Sequence, residues 1–150
     1  MQKPHLKRIG VIGLAAIVIM LANVLIASAN PVNASLTVNS TGQVNRIGQV
    51  TIGGTISCDI PGSTIQFNGQ VTQLSGRAQM GGSFGAGSTC GPTPTAWSAT
   101  LRADNGIFTG GNAKVNISYA YVCGFNGYYY DCSPLPGFPA TTNIKLKGGG

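Results

Sequence analysis

Residues 50–58 read Val50-Thr-Ile-Gly-Gly-Thr-Ile-Ser-Cys58, a stretch in which apolar or small residues alternate with polar ones. The segment from Ile65 to Val71 has the same period of two. Because successive side chains of a β-strand point to opposite faces of the sheet, this alternation predicts strands with one buried and one exposed face. No stretch after Ser35 keeps a helical period for long, so the fold class is predicted to be all-β.

The same alternation recurs along the rest of the chain and predicts about seven strands. Alternate residues are expected on the inward faces: Leu36 and Val38; Val50, Ile52, Gly54, Ile56 and Cys58; Ile65, Phe67, Gly69 and Val71; Ala78, Met80, Gly82 and Phe84; Trp97, Ala99, Leu101 and Ala103; Ala113, Val115, Ile117, Tyr119 and Tyr121; and Ile144 with Leu146. Turn-forming Gly, Pro, Asn and Asp separate them at a spacing near ten residues, which is typical of an antiparallel two-sheet sandwich. A closed barrel is the alternative. Without helical segments for crossover connections, a parallel α/β fold is excluded.

The N-terminal segment has the order of an export signal. A basic start that includes Lys3, Lys7 and Arg8 precedes an apolar run from Ile9 to Ile26, and Ala27-Ser28-Ala29 supplies small residues for cleavage. We expect a signal-peptide helix over residues 1–29, cleaved after Ala29 or, at a second small-residue site, after Ala34. The alternative is an uncleaved anchor, since the run is about long enough to span a bilayer.

This segment sets the expected domain organisation and location. A short linker over residues 30–35 is expected to lead into an immunoglobulin-like sandwich over residues 36–147, followed by a flexible glycine tail over residues 148–150. The mature chain is expected to be secreted, extracellular or at the cell surface. Any contact with a membrane is expected only through an uncleaved signal segment.

Composition argues against most catalytic and metal chemistry. Charged residues make up 8% of the chain, the single histidine, His5, lies in the export signal, and the only acidic residues are Asp59, Asp104 and Asp131. General acid–base catalysis and zinc binding therefore lack their usual side chains, and we expect no enzyme activity, no cofactor and no metal. The basic residues are far apart in sequence, so no nucleic-acid partner is expected.

Two local motifs are better explained by structure than by chemistry. Residues 81–85 match G-x-S-x-G, but a nucleophile elbow needs a strand-to-helix turn and a histidine base, so we interpret them as a glycine-rich strand or loop. Asp104-Asn105-Gly106 contains one carboxylate where a calcium loop needs several oxygen ligands at close spacing, so it is interpreted as a turn.

Four cysteines follow the export signal, which in an oxidising compartment predicts two disulfides among three possible pairings. Cys123 and Cys132 flank a segment that contains the turn-forming Asn126-Gly127, so a bridge across this short loop is geometrically easy. That pairing leaves Cys58 for Cys90. The chain-entropy model gives about 3 kcal/mol for the shorter loop and about 4 kcal/mol for the longer one.

Several motifs in order resemble a group of small, uncharacterised, secreted bacterial domains with an immunoglobulin-like sandwich. Residues 48–58 resemble their G-x-V-x-(V/I)-x-G-T-(V/I)-x-C strand, and Phe108 with residues 111–115 is similar to their F-x-x-G-x-A-x-V corner. Cys90 and residues 97–101 match between them, so the resemblance covers most of residues 36–122. It implies the sandwich fold and a Cys58–Cys90 bridge, and it implies no activity.

The candidate contact site is a group of aromatic residues around the second cysteine pair: Phe125, Tyr128, Tyr129, Tyr130 and Phe138. Three consecutive tyrosines cannot all face one core, so at least one ring should be exposed. Tyrosine suits contact with an extracellular glycan, cell-wall material or another protein. The alternative is that the group only covers the end of the sandwich.

The predicted function is a secreted, non-catalytic binding or cell-surface module that uses this aromatic group. The alternative is a structural subunit of an envelope or extracellular assembly, since the terminal strand from Thr142 to Lys147 is expected to be free to pair edge to edge.

Overall fold

The computed structural model describes residues 33–125 and 130–148, and all regular structure in these ranges is β-strand. The nine strands are β1 (Ala34–Leu36), β2 (Thr41–Val44), β3 (Val50–Cys58), β4 (Ser63–Ser75), β5 (Ala78–Cys90), β6 (Thr95–Leu101), β7 (Gly111–Phe125), β8 (Tyr130–Pro134) and β9 (Ala140–Gly148). The all-β prediction is confirmed. Nowhere in the described ranges is there a helix with the length and apolar character needed to cross a membrane.

The strands form one open, mixed sheet. β6 pairs with one edge of β3, while β1 and β2 pair with its other edge. From β2 the order continues through β9, β7 and β4 to β5, and β8 pairs with β7. All of these pairs are antiparallel except β2 with β9, which run parallel. The prediction of purely antiparallel pairing was therefore wrong for one pair.

The N-terminal strand accounts for part of the difference between seven predicted and nine observed strands. Its first part, β1, pairs only with β3, whereas β2 pairs with both β3 and β9. Between them the N–H groups of Thr37 and Asn39 still donate to carbonyls of β3, at 2.9 and 2.8 Å. One continuous segment therefore bridges β3 and β9. The other additional strand, β8, falls within the predicted aromatic loop.

Two predicted boundaries change. Ala34 and Ser35, assigned to a linker, belong to β1, and Gly148, assigned to the tail, ends β9. The terminal strand is not a free edge, because β9 lies between β2 and β7. The predicted signal peptide lies outside the described residues.

The core is formed by the inward faces that the alternation predicted on β3 and β4. Val50, Ile52 and Ile56 of β3 are buried, as are Ile65, Phe67 and Val71 of β4. Trp97 of β6 also lies in this core, 4.8 Å between ring centroids from Phe67, with its indole N–H donating to the Thr37 carbonyl at 2.9 Å. Edge-to-face packing with a satisfied N–H is the arrangement that a buried tryptophan favours.

A β-bulge interrupts the alternation of β7. Asn68 of β4 pairs with Tyr119 while Gly69 pairs with Ile117, so Ser118 is the extra residue. Ala113, Val115 and Ile117 are buried before the bulge, and Ala120 and Val122 are buried after it. The prediction that Tyr119 and Tyr121 face the core was therefore wrong, because one inserted residue moves every later side chain to the other face.

Both predicted disulfides are present. Cys58 at the end of β3 bonds Cys90 at the end of β5, with their Cα atoms 5.5 Å apart. Cys123 of β7 bonds Cys132 directly opposite on β8. Two disulfides in a domain of this size are typical of extracellular proteins.

Candidate functional site

The structure places the predicted aromatic residues in two different environments. Phe125 and Tyr130 pair across β7 and β8, and both are more than half exposed, at 63% and 59%. Phe138 instead packs half-buried against the core. Tyr128 and Tyr129 lie outside the described residues. The predicted group is therefore only partly brought together.

Two further tyrosines, which were predicted to face the core, lie on the outer face of the sheet. Tyr119 and Tyr121 follow the bulge and are 47% and 41% exposed. Their rings meet edge to face, with centroids 5.7 Å apart. Only the position of the bulge distinguishes them from core residues, and no feature of β7 taken alone indicates it.

Polar groups on β4 hold two of these tyrosines in place. The amide of Asn68 donates to the Tyr119 hydroxyl, and the hydroxyl groups of Thr64 and Tyr130 are hydrogen-bonded at 2.9 Å. A tyrosine ring whose hydroxyl is already bonded loses less rotational freedom when it contacts a ligand. We use the name tyrosine face for the outer surface formed by Tyr119, Tyr121, Phe125, Tyr130, Thr64, Gln66 and Asn68.

Beside the tyrosine face lies a groove of about 640 Å³, formed with the outward positions of β5. Two of these positions are glycines, Gly85 and Gly87, which pair with Asn68 and Gln66. A Cβ at Gly85 would lie 2.7 Å from the Asn68 Oδ1 atom, and one at Gly87 would lie 3.4 Å from the Gln66 Cγ atom. The glycines therefore leave room for both amide side chains to extend over β5.

The chemistry of this groove suits a neutral, hydroxyl-rich ligand. None of the described residues that line it is charged. The amides of Gln66 and Asn68 each offer donors and an acceptor, and the tyrosine rings offer flat apolar contact. This combination can hydrogen-bond sugar hydroxyls while a sugar ring packs against an aromatic face.

A second groove, of about 1020 Å³, lies at the other end of the same outer face. Lys114 of β7 and Lys145 of β9 both line it. Its floor is held by buried Gln73, whose amide donates to the Thr109 carbonyl at 2.8 Å and accepts from the Thr109 N–H at 2.9 Å. This pair of lysines was not predicted from the sequence, because the two residues are far apart in the chain.

Of the two motifs that were interpreted as structural, one lies in a strand and the other in the loop after β6. Residues 81–85 belong to β5. Asn105 anchors the loop after β6 to this strand, since its amide donates to the Gln79 carbonyl at 2.8 Å and accepts from the Gly81 N–H at 3.0 Å. Over the described ranges, no three His, Cys, Asp or Glu side chains are grouped so that they could hold a metal ion.

Comparison with known proteins assigns the chain to a family. The model of DUF6299, a family of unknown function, matches residues 32–147. The chain belongs to this family. The match begins just before β1 and extends to Lys147, so it includes the described strands except for the last residue of β9. No curated protein and no solved structure matches the chain.

Proposed function

We propose that this chain is a secreted, non-catalytic binding module with an immunoglobulin-like fold, and that the tyrosine face is its contact surface. The observation that carries the proposal is the bulge at Ser118, which turns two aromatic side chains away from the core. Large aromatic rings on the outer face of a sheet leave apolar area in contact with water and do not contribute to the packed core. Their exposure together on one surface is typical of a contact site.

The strand order supports the immunoglobulin-like part of the proposal. β1, β3 and β6 would form one sheet, and β2, β9, β7, β4 and β5 the other. The N-terminal segment would pass from the first sheet to the second between β1 and β2. Trp97 and Phe67 pack against each other although β6 and β4 are not neighbours in the strand order. Contact between the inward faces of two aligned sheets is the arrangement of a β-sandwich.

Secretion is supported by two independent features. The first is the segment from Lys3 to Ala29, which has the basic, apolar and small-residue regions of an export signal in the expected order. The second is the pair of disulfides, which persist in oxidising compartments. Together they support a location outside the cytoplasm.

A binding screen tests the proposed contact surface. The oxidised domain is assayed against soluble polysaccharides and cell-wall preparations, together with the double variant Tyr119→Ser/Tyr121→Ser. We expect the variant to bind at least tenfold more weakly, because exposed aromatic anchors contribute most of the affinity in such sites. The matched control is Ile47→Ser/Ile107→Ser, which removes two exposed apolar side chains from loops outside the tyrosine face.

The screen is interpreted only for variants that retain both disulfides and the wild-type circular dichroism. Unchanged affinity in the tyrosine variant would overturn the proposal. An equal loss in the isoleucine control would also overturn it, because the contact would then not be specific to the tyrosine face.

A structural subunit remains the second candidate, and β5 is the observation that favours it. Within the described residues β5 is the last strand in the order, and its other edge pairs with no strand. Asn105 covers this edge near Gly81, but the part from Ser83 to Thr89 contains only small residues and one phenylalanine, without charge or proline. Unprotected edges of this kind favour pairing with another chain. Self-association that persists in the tyrosine variant would favour this candidate.

A further inference from the structure

All three lysines of the domain lie on the outer face of two neighbouring strands. Lys114 of β7 pairs with Asn143 of β9, and Asn112 pairs with Lys145, so the two lysines are diagonal neighbours. Lys147 follows two residues later on the same face of β9. Neighbouring positive charges repel one another, and an anionic group placed between them removes that repulsion.

The groove lined by Lys114 and Lys145 has no carboxylate among its described lining residues, so the charge of these lysines is not neutralised there. The three aspartates of the chain lie elsewhere: Asp59 follows β3, Asp104 follows β6 and Asp131 is on β8. Asn112 and Asn143 add amide donors beside the lysines. The groove therefore presents cations and hydrogen-bond donors in a concave site, which is complementary to carboxylate, sulfate or phosphate groups.

The lysine group and the tyrosine face are continuous along β7. Lys114 and Tyr119 both point outward, on either side of the bulge. At about 3.3 Å per residue, and allowing for the bulged Ser118, they are roughly 13 Å apart along the strand. A ligand that lies along β7 and β4 can reach both, whereas a single small anion cannot.

We infer that the ligand of this face is an acidic polysaccharide, with sugar rings on the tyrosine face and anionic groups at Lys114 and Lys145. This inference rests on the proposed function, because it specifies the ligand of the same surface. Each unit of such a polysaccharide has a sugar ring with hydroxyl groups beside its anionic group, so one polymer can contact both parts of the site. Its extended form matches a site that is uncharged at one end and cationic at the other.

A matched pair of polymers tests the inference. Polygalacturonate is the acidic probe, and its methyl-esterified form is the neutral probe with the same backbone. Inorganic phosphate and sulfate test whether a free anion is sufficient. We expect polygalacturonate to bind at least tenfold more tightly than the ester, and its affinity to fall as salt is raised from 50 to 500 mM, because exposed charges are screened.

Two charge-matched variants locate the anionic contact. Lys114→Gln/Lys145→Gln should weaken polygalacturonate binding about tenfold and leave binding of the neutral ester unchanged. Arg46→Gln/Arg102→Gln removes the same charge from two exposed residues that do not line the groove, and it should leave both affinities unchanged.

The outcomes separate this inference from the proposed function. Equal binding of the two polymers, or equal loss in the lysine and arginine variants, would overturn the acidic-polysaccharide inference. The proposed function would still stand if the tyrosine variant lost binding. Competition by free phosphate as effective as by the polymer would assign a small-anion site and would also overturn the inference. If the lysine variant lost binding and the tyrosine variant did not, the tyrosine face would not be a contact surface, and the proposed function would be overturned instead.

Discussion

The two halves of β7 obey the same alternation rule with opposite results. From Gly111 to Ile117 the strand pairs with β9, and from Lys114 also with β4; its odd-numbered residues from Ala113 to Ile117 are buried. From Tyr119 to Cys123 it pairs with β4 and from Tyr121 to Phe125 with β8, and even-numbered Ala120 and Val122 are buried. The same type of sequence pattern therefore forms the core in one half and the exposed tyrosine face in the other.

The difference between the two halves comes from one inserted residue, which moves a row of alternate side chains from the core to the surface. A single unpaired residue, Ser118, changes which side of the sheet each later side chain occupies. Opposite the bulge, β4 has Gly69, where a Cβ would lie 2.7 Å from the Phe84 ring and 2.5 Å from the Asn116 carbonyl oxygen. The absence of a side chain at Gly69 lets the irregular backbone pack closely at this point.

The largest effect is expected when a charge is placed on the buried side of the second half of β7 and compared with the same charge on its exposed side. Val122→Asp should cost about 4 kcal/mol or more of unfolding free energy, because it buries an unpaired carboxylate. Tyr121→Asp should cost less than about 1 kcal/mol, since its side chain is exposed. Urea unfolding followed by Trp97 fluorescence measures both. A strand without the bulge would reverse the order of the two variants, and that result would contradict the assigned faces.

A smaller effect is expected at the glycine opposite the bulge. Gly69→Ala should cost about 2 kcal/mol, because its Cβ meets a packed ring and a backbone oxygen that cannot easily move. Gly81→Ala is the control on the outward side of β5, where the nearest atom is the flexible end of Gln70 at 3.3 Å. It should change stability by less than about 0.5 kcal/mol. Equal midpoints in urea for the two variants would show that the bulge does not depend on Gly69.

The smallest effect is expected when the bulged residue itself is removed. Deletion of Ser118 leaves Tyr119 and Tyr121 outside and Val122 inside, so stability should change by less than about 1 kcal/mol and the proposed ligand contact should persist. Deletion of Ala120 is the matched comparison, because it exchanges the sides of Tyr121 and Val122. Thermal unfolding and the polysaccharide assay report on both. Similar losses in the two deletions would mean that the bulge matters for more than side-chain direction.

Much of the fold could be predicted from local pattern. The alternation in residues 50–58 and 65–71 predicted strands whose inward faces are buried, because a period of two has only one way to separate apolar from polar side chains. The short Cys123–Cys132 loop predicted its own bridge and so the second one. The candidate site was harder to predict. Tyr130 and Phe125 were expected at an exposed loop, but Tyr119 and Tyr121 were expected inside.

The unpredicted features all depend on pairing between distant segments. The parallel pairing of β2 with β9 removes the free edge expected for the terminal strand. The β7–β9 register brings Lys114 next to Lys145, although their spacing in sequence suggested dispersed charge. The bulge depends on how Gly69 of β4 meets β7. None of these pairings leaves a signal in the segment that it affects.

The sequence by itself determined the all-β class, the inward faces of the regular strands and the two disulfides. The strands and the Cys123–Cys132 bridge follow from spacing along short segments, and that bridge leaves Cys58 for Cys90. The tertiary structure alone decided which tyrosines are exposed and which lysines are neighbours. Side-chain direction after a bulge and proximity across strands depend on register. Register is set jointly by two segments, so neither segment specifies it alone.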